Sequence, residues 1–330
     1  MNRSLYLLGV LGLVVGCDGG TEKDSGGDSG VVSECSITVD KTIPSKDQSD
    51  FYHRGVLEFH LSDKDASAKV TADFSGTTTT SEDGTIVYYT PDAPLDPSTS
   101  YSATFTYCDG DKTFDLPFST SALGTDLTVD LVGKAYQLDL AKANIVKPPN
   151  IGSVLGSLLT TPILIGVAEV SGTQLTMVGA IGVEGGGGQD YCTQTIDFPV
   201  ADFAESPYVK VGPQDTTLSI SGANIKIGNL EITGTFAADG SYFGGGTLEG
   251  SVDARDIAAA LPDLGYDADG LCELIAGFGA ACETCPTDSA PYCLTLVANS
   301  IIAEGISGSV VEVPASDCPG CETGEPTCPV

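Results

Sequence analysis

The spacing of apolar and polar residues changes several times along the chain. Leu5 to Val15 is a nearly continuous apolar run. It is too short for a stable helix to span a bilayer, but it has the length of a signal-peptide h-region. Met1–Ser4 precedes it with one positive charge, Arg3. Behind Cys17, Asp18 to Gly30 holds no apolar residue. Such a run cannot offset the entropy of ordering, so a flexible tether is predicted. As a coil it reaches about 20 Å root-mean-square.

From Ser33 to Ala122 the pattern alternates with period two. In Val56-Leu-Glu-Phe-His-Leu61, residues Leu57, Phe59 and Leu61 share one face and Val56, Glu58 and His60 the other. Further strands are predicted at 36–39, 69–74, 85–90, 101–107 and 113–118. Turn residues separate several of them, Glu82-Asp83-Gly84 and Asp109-Gly110-Asp111 among them. Short strands at this spacing predict a β-sandwich.

Residues 123–314 are also strand-rich but less regular. Strands are expected at 127–132, 135–140, 162–170, 174–179, 217–222, 225–227, 231–236 and 247–252, as an antiparallel meander. Ala238-Asp239-Gly240-Ser241 marks a turn between two of them. Two helices are predicted late. Asp256–Leu261 ends at Pro262. Over Asp269–Phe278, Leu271, Leu274, Ile275 and Phe278 form one apolar face and Asp269 caps the start. Leu294–Ile306 is expected to return as a last strand.

Two stretches resemble known families. Leu13-Val14-Val15-Gly16-Cys17 is similar to the lipobox of bacterial lipoproteins. That resemblance implies cleavage before Cys17, diacylglycerol on its thiol and acylation of the new amino terminus. Tyr89-Thr-Pro91, Leu95-Asp-Pro-Ser-Thr-Ser-Tyr101 and Phe118-Ser-Thr120 resemble bacterial Ig-like domains of the S-layer type. Membership would imply a spacer or adhesion module. The usual opening of those domains is only loosely met by Ile43-Pro44-Ser-Lys-Asp47. The second region shows no recognised family.

Charge narrows the partners. The chain carries 14 Lys and Arg against 45 Asp and Glu, a formal net charge of −31. That field repels nucleic acid and anionic lipid headgroups. The hydrophobic fraction of 41% is enough for two globular cores. With Cys17 assigned to lipid, ten of the eleven cysteines remain: Cys35, Cys108, Cys192, Cys272, Cys282, Cys285, Cys293, Cys318, Cys321 and Cys328. An even number in an exported chain points to disulfides. Cys35 and Cys108 are alone in the first region and are expected to pair, constraining the unfolded chain by about 4 kcal/mol. The other eight allow too many connectivities for one to be read. Cys282-x-x-Cys285 and Cys318-x-x-Cys321 have the spacing of half zinc sites, but an oxidising compartment favours disulfides.

The chemistry-bearing residues give weak signals for catalysis. The two histidines, His53 and His60, fall in a loop beside Arg54 and in an alternating strand, where surface or packing roles are expected. No nucleophile-elbow, zinc-protease or phosphate-loop pattern occurs. Gly185–Gly188 reads as a loop. Asp267-Ala-Asp269-Gly270 lacks oxygen ligands at the first and last positions of a calcium loop.

The expectation is a mainly β, disulfide-braced protein. Residues 1–16 are a signal peptide and 17–33 a lipidated cysteine with an acidic tether. Residues 34–122 are an Ig-like β-sandwich, 123–314 an antiparallel β-rich domain with one or two short helices, and 315–330 a cysteine-rich tail. It would sit on a bacterial membrane, the outer membrane at its periplasmic face or the cell surface. Its partners would be that membrane and a protein or glycan of the envelope, with no nucleic acid. No cofactor, metal or catalytic residue is expected. The alternatives are a carrier of a hydrophobic ligand in 123–314 and, more weakly, a hydrolase.

Overall fold

A computed structural model describes residues 35–138, 143–148, 162–183, 188–220, 223–260, 265–314 and 320–321. The lipobox with Cys17, the tether, Gly185–Gly187, Cys318, Cys328 and most of the tail lie outside them. The part from Ile37 onward is one compact unit.

The first seven strands are β1 (Val39–Ile43), β2 (Leu57–Leu61), β3 (Lys69–Ala72), β4 (Gly76–Thr80), β5 (Ile86–Pro91), β6 (Ser100–Tyr107) and β7 (Lys112–Ser119). They form two antiparallel sheets, ordered β1-β2-β5-β4 and β3-β6-β7. The period-two pattern explains what they bury. Leu57, Phe59 and Leu61 are inside on β2, Val87 and Tyr89 on β5, Phe105 and Tyr107 on β6, Leu116 and Phe118 on β7. Phe59 of one sheet stacks on Phe105 of the other, with centroids 4.5 Å apart. Phe74 joins Tyr89, Tyr101 and Phe118 in a second aromatic group. His60 points outward and its Nε2 meets Glu58 at 2.8 Å.

Ten more strands follow: β8 (Ala135–Leu138), β9 (Asn144–Lys147), β10 (Ile163–Ser171), β11 (Gln174–Ile181), β12 (Ile196–Asp197), β13 (Ala201–Asp202), β14 (Tyr208–Ile220), β15 (Ala223–Phe236), β16 (Tyr242–Asp253) and β17 (Cys293–Ile306). The strands are antiparallel as expected, but the expected meander closes into a ring. The sheet runs β10-β8-β17-β16-β15-β14-β13-β11, and β10 also pairs with β11. Eight strands therefore close a barrel, and this barrel, rather than an Ig-like sandwich, is the dominant architecture. Closure depends on β8. Its four residues pair on one side with β10, Ile163 against Leu138, and on the other with β17, Ala303 against Leu138. Strands β9 and β12 attach outside the ring, to β17 and β11.

Side chains fill the interior. Tyr136, Val167, Leu175, Met177, Val209, Val211, Phe236 and Phe243 pack together with almost no exposure. Phe243 lies over Gly234 on the neighbouring strand, where a Cβ would come within 2.1 Å of its ring. The glycine lets a large ring close the wall, which a β-carbon would push out of the core. The outer wall is polar. Lys210 and Glu231 pair across β14 and β15 at 2.9 Å, and Thr233 meets Thr247 at 2.6 Å. The segment 127–132, expected as a strand, is instead a loop whose Leu131 is buried in the barrel core.

β14 to β17 hold 12 to 14 residues each, and their ends carry a helical cap. Helices α1 (Ala254–Ala260) and α2 (Ala268–Ala276) pack Leu271 and Ile275 against Ala254 and Leu294. The predicted cap of α2 shifts by two residues, from Asp269 to Asp267. Asp267 Oδ1 accepts the Gly270 N–H at 2.8 Å, while Asp269 lies in the first turn and accepts the Tyr292 hydroxyl. An extended residue before the helix suits capping, and Asp267 is the one with extended dihedrals. Cys272–Cys282 and Cys285–Cys293 brace this cap, and Cys192–Cys321 ties the last described residues to the barrel.

Candidate functional site

Three consecutive residues of the first region grip the barrel wall. Tyr52, His53 and Arg54 follow Phe51, which bridges to Thr120, and precede β2. The Tyr52 hydroxyl bonds Thr235 Oγ1 on β15 at 2.8 Å, and its ring lies against Gly245. Burial pushes the Tyr52 phenol up to about 12. Arg54 lays its guanidinium over the Tyr208 ring, 3.8 Å from the centroid, and pairs with Glu205. Its Nε is buried without a hydrogen-bond partner among the described residues.

His53 sits between these two. It is 4% exposed, its backbone carbonyl accepts the Leu95 N–H, and its ring meets Tyr52 edge-on at 4.8 Å. Gly124, at φ +100°, passes so close that a Cβ there would lie 2.8 Å from the imidazole. His53 Nδ1 has no hydrogen-bond partner among the described residues. Burial, helped by Arg54, pulls its pKa down to about 4. The ring is therefore neutral at neutral pH and packs as an apolar plate.

A second cluster lies under the cap. Arg255 forks onto Asp253, with Nε to Oδ1 at 2.9 Å and Nη2 to Oδ2 at 2.5 Å, and reaches Asp288 through Nη1 at 2.8 Å. Its guanidinium faces Tyr292 at 5.3 Å. Hydrogen bonds from Arg255 hold the Asp253 and Asp288 carboxyls below the usual range. Asp253, Cys285 and Cys293 bring three ligand atoms within 4.8 Å of one another. The two sulfurs are bonded to each other, so neither is available as a thiolate, and the cluster is a brace.

The cysteine positions sort into bonds that spacing did not reveal. Cys282 and Cys285, read as one half of a zinc pattern, belong to two different disulfides. Cys321 bonds Cys192. Cys35 and Cys108 are both disulfide-bonded. Asp109-Gly110 forms the tight connection from β6 to β7. The Tyr52-His53-Arg54 cluster carried little signal beyond a histidine beside an arginine in a loop. Arg255 and its carboxylates carried none, because acidic residues abound.

The barrel interior is nearly closed. The cavity lined by Tyr136, Met177, Phe236 and Phe243 holds about 20 Å³, room for about one water. A cleft of about 230 Å³ lies outside the wall, where Val310 crosses Gly166 beside Lys134. Among the described residues no helix is long and apolar enough to cross a membrane.

The fold thus defines a disulfide-braced antiparallel protein with a closed eight-stranded barrel and a two-sheet region locked to its wall. Compared with known families, the chain matches no family model, and compared with curated proteins it matches none.

Proposed function

We propose that this chain is an exported lipoprotein, anchored to a bacterial membrane through lipid on Cys17, with a structural, adhesive or binding role and no catalysis. The observation that carries the reading is the filled barrel. Among the described residues, the cavity between Tyr136, Met177, Phe236 and Phe243 holds about 20 Å³, far below the few hundred Å³ that a carried ligand needs, so the barrel acts as a rigid stand. Its charged outer wall, with Lys210 and Glu231, suits water better than the apolar band of a membrane barrel. Disulfides fit an oxidising compartment outside the cytoplasm. The order β1-β2-β5-β4 facing β3-β6-β7 supports reading the first region as an Ig-like spacer, in line with its S-layer-type motifs. Several acyl chains on Cys17, at about 0.8 kcal/mol per buried methylene, would hold the protein firmly.

Membrane fractionation tests the anchor. The parent chain is expected in the membrane pellet after a carbonate wash, and Cys17→Ser in the soluble fraction. Retention of Cys17→Ser in the washed pellet would overturn the proposal.

A further inference from the structure

We propose that strand β4 is a docking edge, which takes an extended segment of another protein as an added strand. That segment would be an uncharged β-forming stretch of about five residues with basic residues at both ends. The inference goes beyond the envelope role proposed above and does not depend on lipid at Cys17.

The register fixes which backbone groups are open. β4 pairs with β5 alone, from Gly76 against Pro91 to Thr80 against Val87. Ser75 C=O accepts the Asp92 N–H at 3.1 Å, and Ser81 N–H donates to Ile86 C=O at 2.9 Å. In an antiparallel ladder the bonded pairs recur every second residue, so Thr77 and Thr79 also spend their groups on β5. The N–H and C=O groups of Gly76, Thr78 and Thr80 then point away from β5. Among the described residues they have no hydrogen-bond partner. Thr77 to Thr80 are all exposed, so the row is accessible.

The other edges of the two sheets are blunted. β1 carries Asp40 and Lys41 and a register break between Val39 and Lys41. β7 carries Lys112, Asp115 and Pro117, and β3 begins with Lys69. Charge, proline and bulges are the usual guards against strand addition. β4, Gly-Thr-Thr-Thr-Thr, has none of them. Threonine also pairs well across strands.

Charge selects the occupant. Asp73 and Asp92 lie at the start of β4, and Glu82 and Asp83 just past its end, all exposed. Lys64 stands beside Gly84 at that second end and leaves it net negative. A neutral strand between two acidic ends complements a neutral strand between two basic ends. A second copy of this chain would instead set acid against acid, in a molecule already at −31.

The test uses the full chain and a labelled probe peptide of alternating Thr and Val with a lysine pair at each end. Fluorescence anisotropy should show saturable binding, with the Thr78 and Thr80 amides becoming protected from hydrogen exchange. Thr78→Pro removes an outward donor and spares the β5 ladder, and it should weaken binding at least about tenfold. Thr78→Lys keeps every backbone group and should weaken it similarly by repelling the lysines, which covers the case in which the proline variant fails to fold. A glutamate-flanked peptide should bind at least about tenfold less tightly. Equal binding of both peptides, or unchanged binding to a folded Thr78→Lys, would overturn the proposal. So would sedimentation showing a β4-dependent dimer with no peptide binding.

Discussion

The two regions of this molecule solve the same problem differently. Both are built from short antiparallel strands and both bury aromatic residues, yet one is closed and the other open. The barrel turns its sheet back on itself through β10 and β11, so its strands find partners on both sides. The two-sheet region brings flat faces together, Phe59 on Phe105, and leaves four edges to be managed by sequence. Closure makes a strong stand with a full interior. Openness costs guarding residues and leaves one strand, β4, able to meet something else.

Four measurements would break or sharpen that contrast. The largest effect is expected at the bond that ties the barrel to its last described residues. Cys192–Cys321 closes a separation of 129 residues, so Cys192→Ser with Cys321→Ser should cost about 5 kcal/mol in urea denaturation. Removing Cys272–Cys282, at a separation of 10, should cost only about half as much. Equal losses would mean that the long bond constrains nothing the sheet does not already hold.

Next is the barrel core. Phe236→Ala should destabilise by about 4 kcal/mol, since the ring is 1% exposed and touches Tyr136, Phe203 and Phe243. One urea transition, shifted as a whole, would show that the two regions unfold together. A second, unshifted transition would separate them.

The junction should respond to pH. His53 has a native pKa of about 4 against 6.5 in the unfolded chain. The unfolded state therefore takes up a proton first as pH falls. Stability from this group is full above about pH 6.5, drains away between 6.5 and 4, and stops changing below. The total is about 3 kcal/mol. Urea midpoints against pH should show this slope in the parent chain and lose it in His53→Phe. The same slope in both would clear His53.

The smallest effect concerns a single hydroxyl. Tyr52→Phe leaves buried Thr235 without its partner and should cost about 1 kcal/mol. A loss within error would mean that the ring against Gly245, rather than the hydrogen bond, holds the junction.

Sequence made the local structure legible and left the assembly hidden. Alternation at Leu57, Phe59 and Leu61 identified both the strand and its buried face, because a half-buried strand must repeat every two residues. The helix at Leu271 and Ile275 was equally plain from its 3.6-residue spacing. Barrel closure had no such signature. It rests on four residues of β8 finding partners about 25 and 165 positions further on, and pairing at that range leaves no local period. Leu131 shows the converse, an apolar run read as a strand that is a loop plugging the core. Beyond Cys35 and Cys108, which stand alone in the first region, the disulfide partners were unreadable for the same reason, and the Tyr52-His53-Arg54 grip is a contact between distant segments. Cys17 lies outside the described residues.

The Cys192–Cys321 bond has a consequence for damage. A protease that nicks one loop between these residues would cut the backbone without freeing a fragment, because the two pieces stay joined through sulfur. Such a nicked molecule would run as two bands only after reduction. In an environment full of hydrolases, the barrel would survive wounds that would dismantle an uncrosslinked chain.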